Sequence, residues 1–422
     1  MADVIKIEGG HRLKGEVTIS SAKNATVALI PAATLADNCI VDIYGVPNIA
    51  DVNSLIILLE ELGVKVSREN DSHLKMDTTQ MENVILDHVE VSNLRASYYF
   101  MGALLGKYKY VKMQMPGGCY LGPRPIDLHL KGFEALGAKI NYTQGYYEIV
   151  AERLIGAKIF LDIASVGATM NIMMAAVKAE GRTIIENAAK EPEIIDLATF
   201  LNKMGAKVRG AGTSVITIDG VETLNGSTHE IIPDRIEAGT YMIMAAAMGE
   251  EVKINNIIPL HLEALTSKLI EMGVDIEIGS DFAVIRGGNP LKAIDIQTLP
   301  YPGFATDLQQ PLTTLLSQAS GRSTIRETIY FERFKHVDEL KKMGAKMEVN
   351  APTAFINGPT TLVGTDVEAT DLRCGAALVV AGLIAQGVTT IDEVYHIDRG
   401  YDKLDEKLRN LGAKIWREPK VN

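Results

Sequence analysis

The sequence predicts an α/β protein of two domains, each assembled from three copies of one helix-and-strand unit. Three observations predict it. A glycine-centred pentad recurs six times, an apolar helix precedes each recurrence, and 422 residues exceed what one hydrophobic core usually holds.

The pentads are Leu62-Gly63-Val64-Lys65-Val66, Leu136-Gly137-Ala138-Lys139-Ile140, Met204-Gly205-Ala206-Lys207-Val208, Met272-Gly273-Val274-Asp275-Ile276, Met343-Gly344-Ala345-Lys346-Met347 and Leu411-Gly412-Ala413-Lys414-Ile415. Their glycines are 74, 68, 68, 71 and 68 residues apart. Each pentad ends an amphipathic helix such as Val337 to Met343, with the glycine as a left-handed cap, and a short strand follows. Upstream of each glycine lies a helix apolar on every side, for example Met170 to Val177, Tyr241 to Met248 and Ala376 to Ala385. A helix without a polar face must be buried all round, so the sheets are expected as outer walls around bundles of helices. Strands such as Cys39 to Ile43, Thr183 to Glu186, Glu251 to Ile254, Ser323 to Arg326 and Thr389 to Asp392 follow these helices. The opening segment also reads as strand, Glu16 to Ile19, and by cyclic closure it completes the last unit. The expected domains are therefore 22–231 and, discontinuously, 1–21 with 232–422. The alternative is a linear solenoid, whose units are usually shorter.

A hydrophobic content of 47% with 23% charged residues is ordinary globular composition. The formal charge of −11 argues against nucleic-acid and anionic-membrane partners, so any anion must be held by a local group of Arg and Lys. Cys39, Cys119 and Cys374 are an odd, widely spaced set that suits a reducing cytosol. No signal-peptide pattern and no apolar run of membrane-spanning length is read, so a cytoplasmic protein without membrane insertion is expected.

Chemistry is expected at the starts of the buried helices, where unpaired N–H groups attract anions. Those starts carry Lys23-Asn24, Arg95-Ala96-Ser97, Ser165-Val166-Gly167, Asp234-Arg235, Thr306-Asp307 and Asp371-Leu372-Arg373. If the units are related by rotation, these ends point one way within a domain and several cations would converge on phosphate or carboxylate groups. The bland reading of each is a charged residue solvating a helix end. One loop, Pro116 to Pro125, departs from the repeat: two glycine-rich turns flank Cys119, and Arg124 sits between prolines. A neighbouring Arg would favour the thiolate and fit Cys119 for proton transfer near neutral pH. Cys39 and Cys374 lie in apolar context and read as core cysteines. Gly102 to Lys107 imitates a phosphate-binding loop but is one residue short and lacks the following Ser or Thr. The eight His residues show no metal-ligand spacing, and no cofactor is expected.

The segments Ser21 to Ala25, Pro116 to Cys119, Gly122 to His129, Ser165 to Thr169, Glu191 to Ile194, Thr306-Asp307, Thr370 to Arg373 and Tyr395 to Tyr401 resemble the enolpyruvyl transferases that act on UDP-N-acetylglucosamine, from residue 1 to about 418. The resemblance implies a two-domain inverse α/β barrel, a prism with three repeats per domain, and two small-molecule substrates, phosphoenolpyruvate and UDP-N-acetylglucosamine. It implies enolpyruvyl transfer to the sugar 3-hydroxyl with release of phosphate, the first committed step of peptidoglycan synthesis. It further implies that Lys23, Arg124 and Arg399 face the phosphate of phosphoenolpyruvate, that Arg333 and Arg373 face its carboxylate, and that Asn24 is shared between the substrates. Asp307 is then the base at the 3-hydroxyl, and Cys119 is the proton donor that fosfomycin alkylates. Contacts to the nucleotide sugar fall on Asn24, Arg95, Arg124, Pro125, Ile126, Asp127, Leu128, Ser165, Val166, Gly167, Asp307 and Ile329. Some members carry a Lys in the stretch where this chain has Ile163, which would leave the diphosphate to Ser165 and backbone N–H groups. The sister transferase acting on shikimate 3-phosphate is the runner-up, and a non-catalytic repeat scaffold is the alternative of another class.

Overall fold

A computed structural model of the chain describes residues 3–117 and 126–420. Its backbone carries all six repeats. The six buried helices, labelled in chain order, are α1 (Lys23–Ala33), α2 (Tyr99–Tyr108), α3 (Val166–Ala176), α4 (Arg235–Met248), α5 (Thr306–Leu316) and α6 (Leu372–Ile384). The amphipathic helices are Ala50–Glu61, Asp127–Ala135, Pro192–Lys203, Glu263–Glu271, Lys335–Lys342 and Leu404–Asn410. Just beyond each of these, Gly63, Gly137, Gly205, Gly273, Gly344 and Gly412 have φ between 78° and 106°. A β-carbon is strained there, which is why the pentad keeps its glycine while its flanks vary.

The described residues form two compact units, 3–20 with 233–420 and 21–117 with 126–232. Unit 21–232 has three sheets. One orders Thr228–Glu230, Ile40–Tyr44, His73–Asp77 and Lys65–Asn70; another orders Tyr110–Gln114, Tyr146–Val150 and Lys139–Thr143. The third orders Lys207–Arg209, Val215–Asp219, Arg182–Glu186 and Lys158–Phe160. Strands alternate as expected of half-buried sheet: in Ile40–Tyr44, Val41 and Ile43 point inward while Ile40 and Tyr44 are exposed. The unit's helices share one hydrophobic core with these inward faces.

In the other unit α4, α5 and α6 pack pairwise on one another. Its sheets order Asp275–Ile278, Phe282–Arg286, Gly249–Asn255 and Leu13–Thr18; then Asp295–Gln297, Gly321–Arg326, Thr353–Gly358 and Lys346–Asn350; then Asp366–Glu368, Val388–Asp392, Asp3–Glu8 and Lys414–Pro419. The first strand of the chain lies inside the last sheet, with Ile5 opposite both Ile391 and Arg417. The opening residues thus close the last unit as the repeats suggested, but through Asp3–Glu8; the strand expected at Glu16 to Ile19 is Leu13–Thr18 and pairs with Gly249–Asn255 instead.

Close helix approach explains the false phosphate loop. Gly102 lies on α2 against α3, where an added β-carbon would sit 2.2 Å from the Asn171 carbonyl oxygen. Its own N–H donates to Asn171 Oδ1 at 2.7 Å. The glycine is there for packing, not for phosphate. Cys374, on α6, is fully buried, and burial pushes its thiol up to about 12. Cys39 differs from the core reading: it packs against the core but stays partly exposed, its Sγ donating to the Asp37 carbonyl at 3.0 Å. Among the described residues, no helix is long and apolar enough to cross a membrane.

Candidate active site

The start of α5 carries Thr306 and Asp307 in a helix whose N-cap, Ala305, makes no side-chain cap bond. Two guanidiniums converge on Asp307. Arg333 Nη1 donates to Oδ1 at 2.8 Å and Arg373 Nη2 donates to Oδ2 at 3.1 Å. Both arginines are almost wholly buried, at 5% and 3% exposure. Burial opposes their charge, but the carboxylates of Asp307 and Asp371 beside Arg333 outweigh it and raise its pKa. For Arg373 the compensating groups are Tyr401, Asp307 and Asp234, and its pKa is also raised. Both groups are therefore permanent cations held in a low-dielectric wall.

The chain holds them from behind. Arg333 Nη1 also donates to Thr306 Oγ1 at 3.0 Å, and that hydroxyl donates to buried Glu327 at 2.9 Å. Glu327 accepts from Thr298 Oγ1 (2.7 Å) and from the backbone N–H groups of Ile329 (2.8 Å) and Tyr330 (3.1 Å) as well. Arg373 Nη1 donates to Tyr401 Oη at 3.0 Å. Tyr401 and Thr240 meet at 2.9 Å, and Thr240 spends its own proton on the Ile236 carbonyl at 2.7 Å. Tyr401 is thus the donor to Thr240, as a phenol that burial keeps protonated. Asp371 caps α6, accepting from the N–H groups of Arg373 (2.9 Å) and Cys374 (3.0 Å). Arg399 follows the short helix Tyr395–Asp398 and is buried at 8% exposure.

In unit 21–232 the Lys23 ammonium, on the first residue of α1, lies 3.0 Å from the Asp51 carboxylate, which is buried at the start of Ala50–Glu61. Asn24 is next to it and partly buried. A second cluster forms at the start of α3. Ser165 caps the helix, its Oγ accepting from Ala168 N at 3.2 Å. Gly167 is pressed against Tyr98 and His129: an added β-carbon would lie 2.8 Å from Tyr98 Oη and 3.0 Å from His129 Cε1. Asn171 Nδ2 bridges His129 Nδ1 and the Tyr98 carbonyl, both at 2.9 Å. His129 Nδ1 is therefore an acceptor and its proton sits on Nε2. Burial, then the nearby Arg95 charge, push the imidazole down to about 3, so it is neutral. Arg95 opens a short 3-10 turn and its guanidinium lies 5.7 Å from the Tyr98 ring centroid.

The chain as a whole has relatives of known kind. The family model for EPSP synthase (3-phosphoshikimate 1-carboxyvinyltransferase) matches residues 7–408. The UDP-N-acetylglucosamine 1-carboxyvinyltransferases 2 of Bacillus subtilis and Geobacillus kaustophilus are 59% and 58% identical. They cover 98% and 99% of this chain and 96% and 97% of their own length. This chain belongs to the enolpyruvyl transferase family. The solved structure of the enolpyruvyl transferase NikO from Streptomyces tendae is similar at TM-score 0.89 with 26% identity, covering 99% of each chain. EPSP synthase from Acinetobacter baumannii, at 19% identity and TM-score 0.76, shares the inverse-barrel fold.

Within this enolpyruvyl transferase, Asp307, Arg333 and Arg373 come together in one cluster, and Arg95, Ser165, Val166 and Gly167 gather at the start of α3. Ile126 is buried just before Asp127–Ala135, where Asp127 is exposed and Leu128 partly buried. Ile329 is partly buried and tied to Glu327. Ile163 is exposed and brings no charge to the α3 start. Cys119, Arg124 and Pro125 lie outside the described residues. Sequence reasoning gave no site role to Asp51, Tyr98, His129, Asn171 or Glu327, and it placed Asp371 only as part of a helix start. His129 and Asp371 stood inside the family-like segments, but nothing local marks Asp51 as the partner of Lys23 or Glu327 as the acceptor behind Thr306.

Proposed function

We propose that this chain transfers the enolpyruvyl group of phosphoenolpyruvate to the 3-hydroxyl of UDP-N-acetylglucosamine and releases phosphate, supplying peptidoglycan synthesis from the cytoplasm. The observation that carries this reading is the convergence of two buried, permanently charged guanidiniums, Arg333 and Arg373, on one carboxylate. A carboxylate receptor is already built there, and full-length relatives of 56–59% identity are named for this reaction.

In this reading the carboxylate of phosphoenolpyruvate shares Arg333 and Arg373 with Asp307, which loosens Asp307 to serve as base. Lys23, Arg124 and Arg399 take the phosphate, with Asn24 beside them. Arg95, Ser165 to Gly167, Ile329 and the run from Arg124 to Leu128 hold the nucleotide sugar. The Cys119 thiol gives its proton to carbon 3, the sugar oxygen bonds to carbon 2, and Asp307 takes the hydroxyl proton. The tetrahedral ketal then loses a proton from carbon 3 to the Cys119 thiolate as the bond between carbon 2 and the phosphate oxygen breaks. Fixed cations lower the energy of these charge-rich states because they need no reorganisation during the reaction.

The deciding experiment measures phosphate release from phosphoenolpyruvate with UDP-N-acetylglucosamine, with shikimate 3-phosphate, and with neither acceptor. Release dependent on the nucleotide sugar is expected; release only with shikimate 3-phosphate would replace this reading with its sister reaction. Cys119→Ser should lower kcat roughly 10²–10⁴-fold, the usual loss of an acid–base group, and fosfomycin should label Cys119 rather than Cys39 or Cys374.

A further inference from the structure

His336 is the largest polar puzzle behind the arginine cluster. It lies in the first turn of Lys335–Lys342, three residues beyond Arg333, and is fully buried. Among the described residues neither ring nitrogen has a hydrogen-bond partner. Phe334 stacks near it at 6.3 Å between centroids. The charged groups that act on it are Asp371 and Arg333, and burial dominates both, so the ring is neutral.

The same layer holds other unmatched atoms. Gln309 Nε2 donates to the Arg333 carbonyl at 3.3 Å, and Gln310 Nε2 reaches both oxygens of Asp371 at 3.4 Å. Their Oε1 atoms, and Arg333 Nε, are buried without partners among the described residues. The set is complementary: one cationic N–H donor, two amide acceptors, and an imidazole that offers one donor and one acceptor. Buried polar groups are rarely left unsatisfied, and a shared water is the usual solution in a polar site.

We propose that His336 is a positioning residue for the substrate carboxylate: with Gln309 and an ordered water it fixes Arg333 through the guanidinium Nε that Asp307 does not engage. Arg333 Nη1 is already committed to Thr306 and Asp307. When a ligand carboxylate draws on the guanidinium, its orientation then depends on what holds Nε. A neutral imidazole suits that task, since a cation in its place would repel Arg333.

This inference rests on the reading that Arg333 receives the carboxylate of phosphoenolpyruvate. The test compares His336→Phe, which keeps the ring and loses both nitrogens, with His336→Gln, which restores a donor and an acceptor. His336→Phe should raise KM for phosphoenolpyruvate about tenfold, the scale of one hydrogen bond to a charged group, and leave KM for UDP-N-acetylglucosamine unchanged. His336→Gln should recover most of that loss. An unchanged KM for phosphoenolpyruvate in His336→Phe, equal changes for both substrates, or no recovery in His336→Gln would overturn the proposal. Arg333→Lys serves as the separate control. If it leaves KM for phosphoenolpyruvate unchanged, the reading of Arg333 fails, whatever His336 does. A crystal structure of the full chain should show solvent density within hydrogen-bond distance of a His336 nitrogen, and its absence there would also overturn the proposal.

Discussion

Asp307 carries two duties that pull against each other. As an anion it compensates two buried guanidiniums, and as a proposed base it must take up a proton. Asp307→Asn keeps the side-chain shape and removes both the charge and the basicity. Roughly 10²–10⁴-fold loss of kcat is expected, read by phosphate release. Melting temperature should fall as well, because breaking a buried ion pair from one side leaves uncompensated charge. Gly167 illustrates the opposite kind of constraint, one of space. Gly167→Ala would force its methyl against Tyr98 Oη and His129, at 2.8 and 3.0 Å. The start of α3 must shift, and KM for the nucleotide sugar should rise about tenfold while KM for phosphoenolpyruvate holds; a small substitution that moves a helix end by a few tenths of an ångström acts through overpacking. Gly167 was visible in the sequence as part of a helix start. The reason it cannot be Ala was not, because Tyr98 and His129 arrive from elsewhere in the chain.

At the scale of the element, the helix starts fall into two kinds although the repeat is the same. Ser165, Asp234 and Asp371 cap α3, α4 and α6 with their side chains. Ala22, Tyr98 and Ala305 make no side-chain cap bond at α1, α2 and α5. Of these, α1 and α5 open on Lys23-Asn24 and Thr306-Asp307. The crossing of α2 and α3 depends on close backbone approach rather than on side-chain volume. Gly102→Ala would place a methyl 2.2 Å from a backbone oxygen. It should cost about 1–3 kcal/mol, measured as a lower denaturant midpoint with an unchanged slope. The six helices and their glycine caps were legible because capping and amphipathic periodicity are local. The pairing of Lys23 with Asp51 and the burial of Glu327 were not, since each joins segments that no periodicity connects.

Across the whole molecule, two buried histidines make stability sensitive to acid. Burial holds His129 and His336 at about 3 in the folded chain, while an unfolded histidine titrates near 6.5. Between those values the unfolded state binds more protons, so the stability these two neutral rings contribute is complete above about pH 6.5 and declines as pH falls. Each histidine contributes on the order of 1 kcal/mol per pH unit lost. Glu237, raised by burial against the pull of Lys407, works in the opposite direction and offsets part of that loss. The apparent melting temperature should therefore drop on acidification below pH 6.5, and His336→Phe should flatten that decline. The six repeats, the return of the chain's opening residues to its last unit and the helix starts that carry charge all followed from the sequence itself, although not which opening strand makes the closure. Each rests on interactions within a few residues or on a period that repetition makes visible. Which carboxylate faces which guanidinium, which glycine is a spacer, and which imidazole stays neutral were decided by tertiary structure alone. Those depend on burial and on a few ångströms between distant segments, and desolvation has no signature in the order of residues.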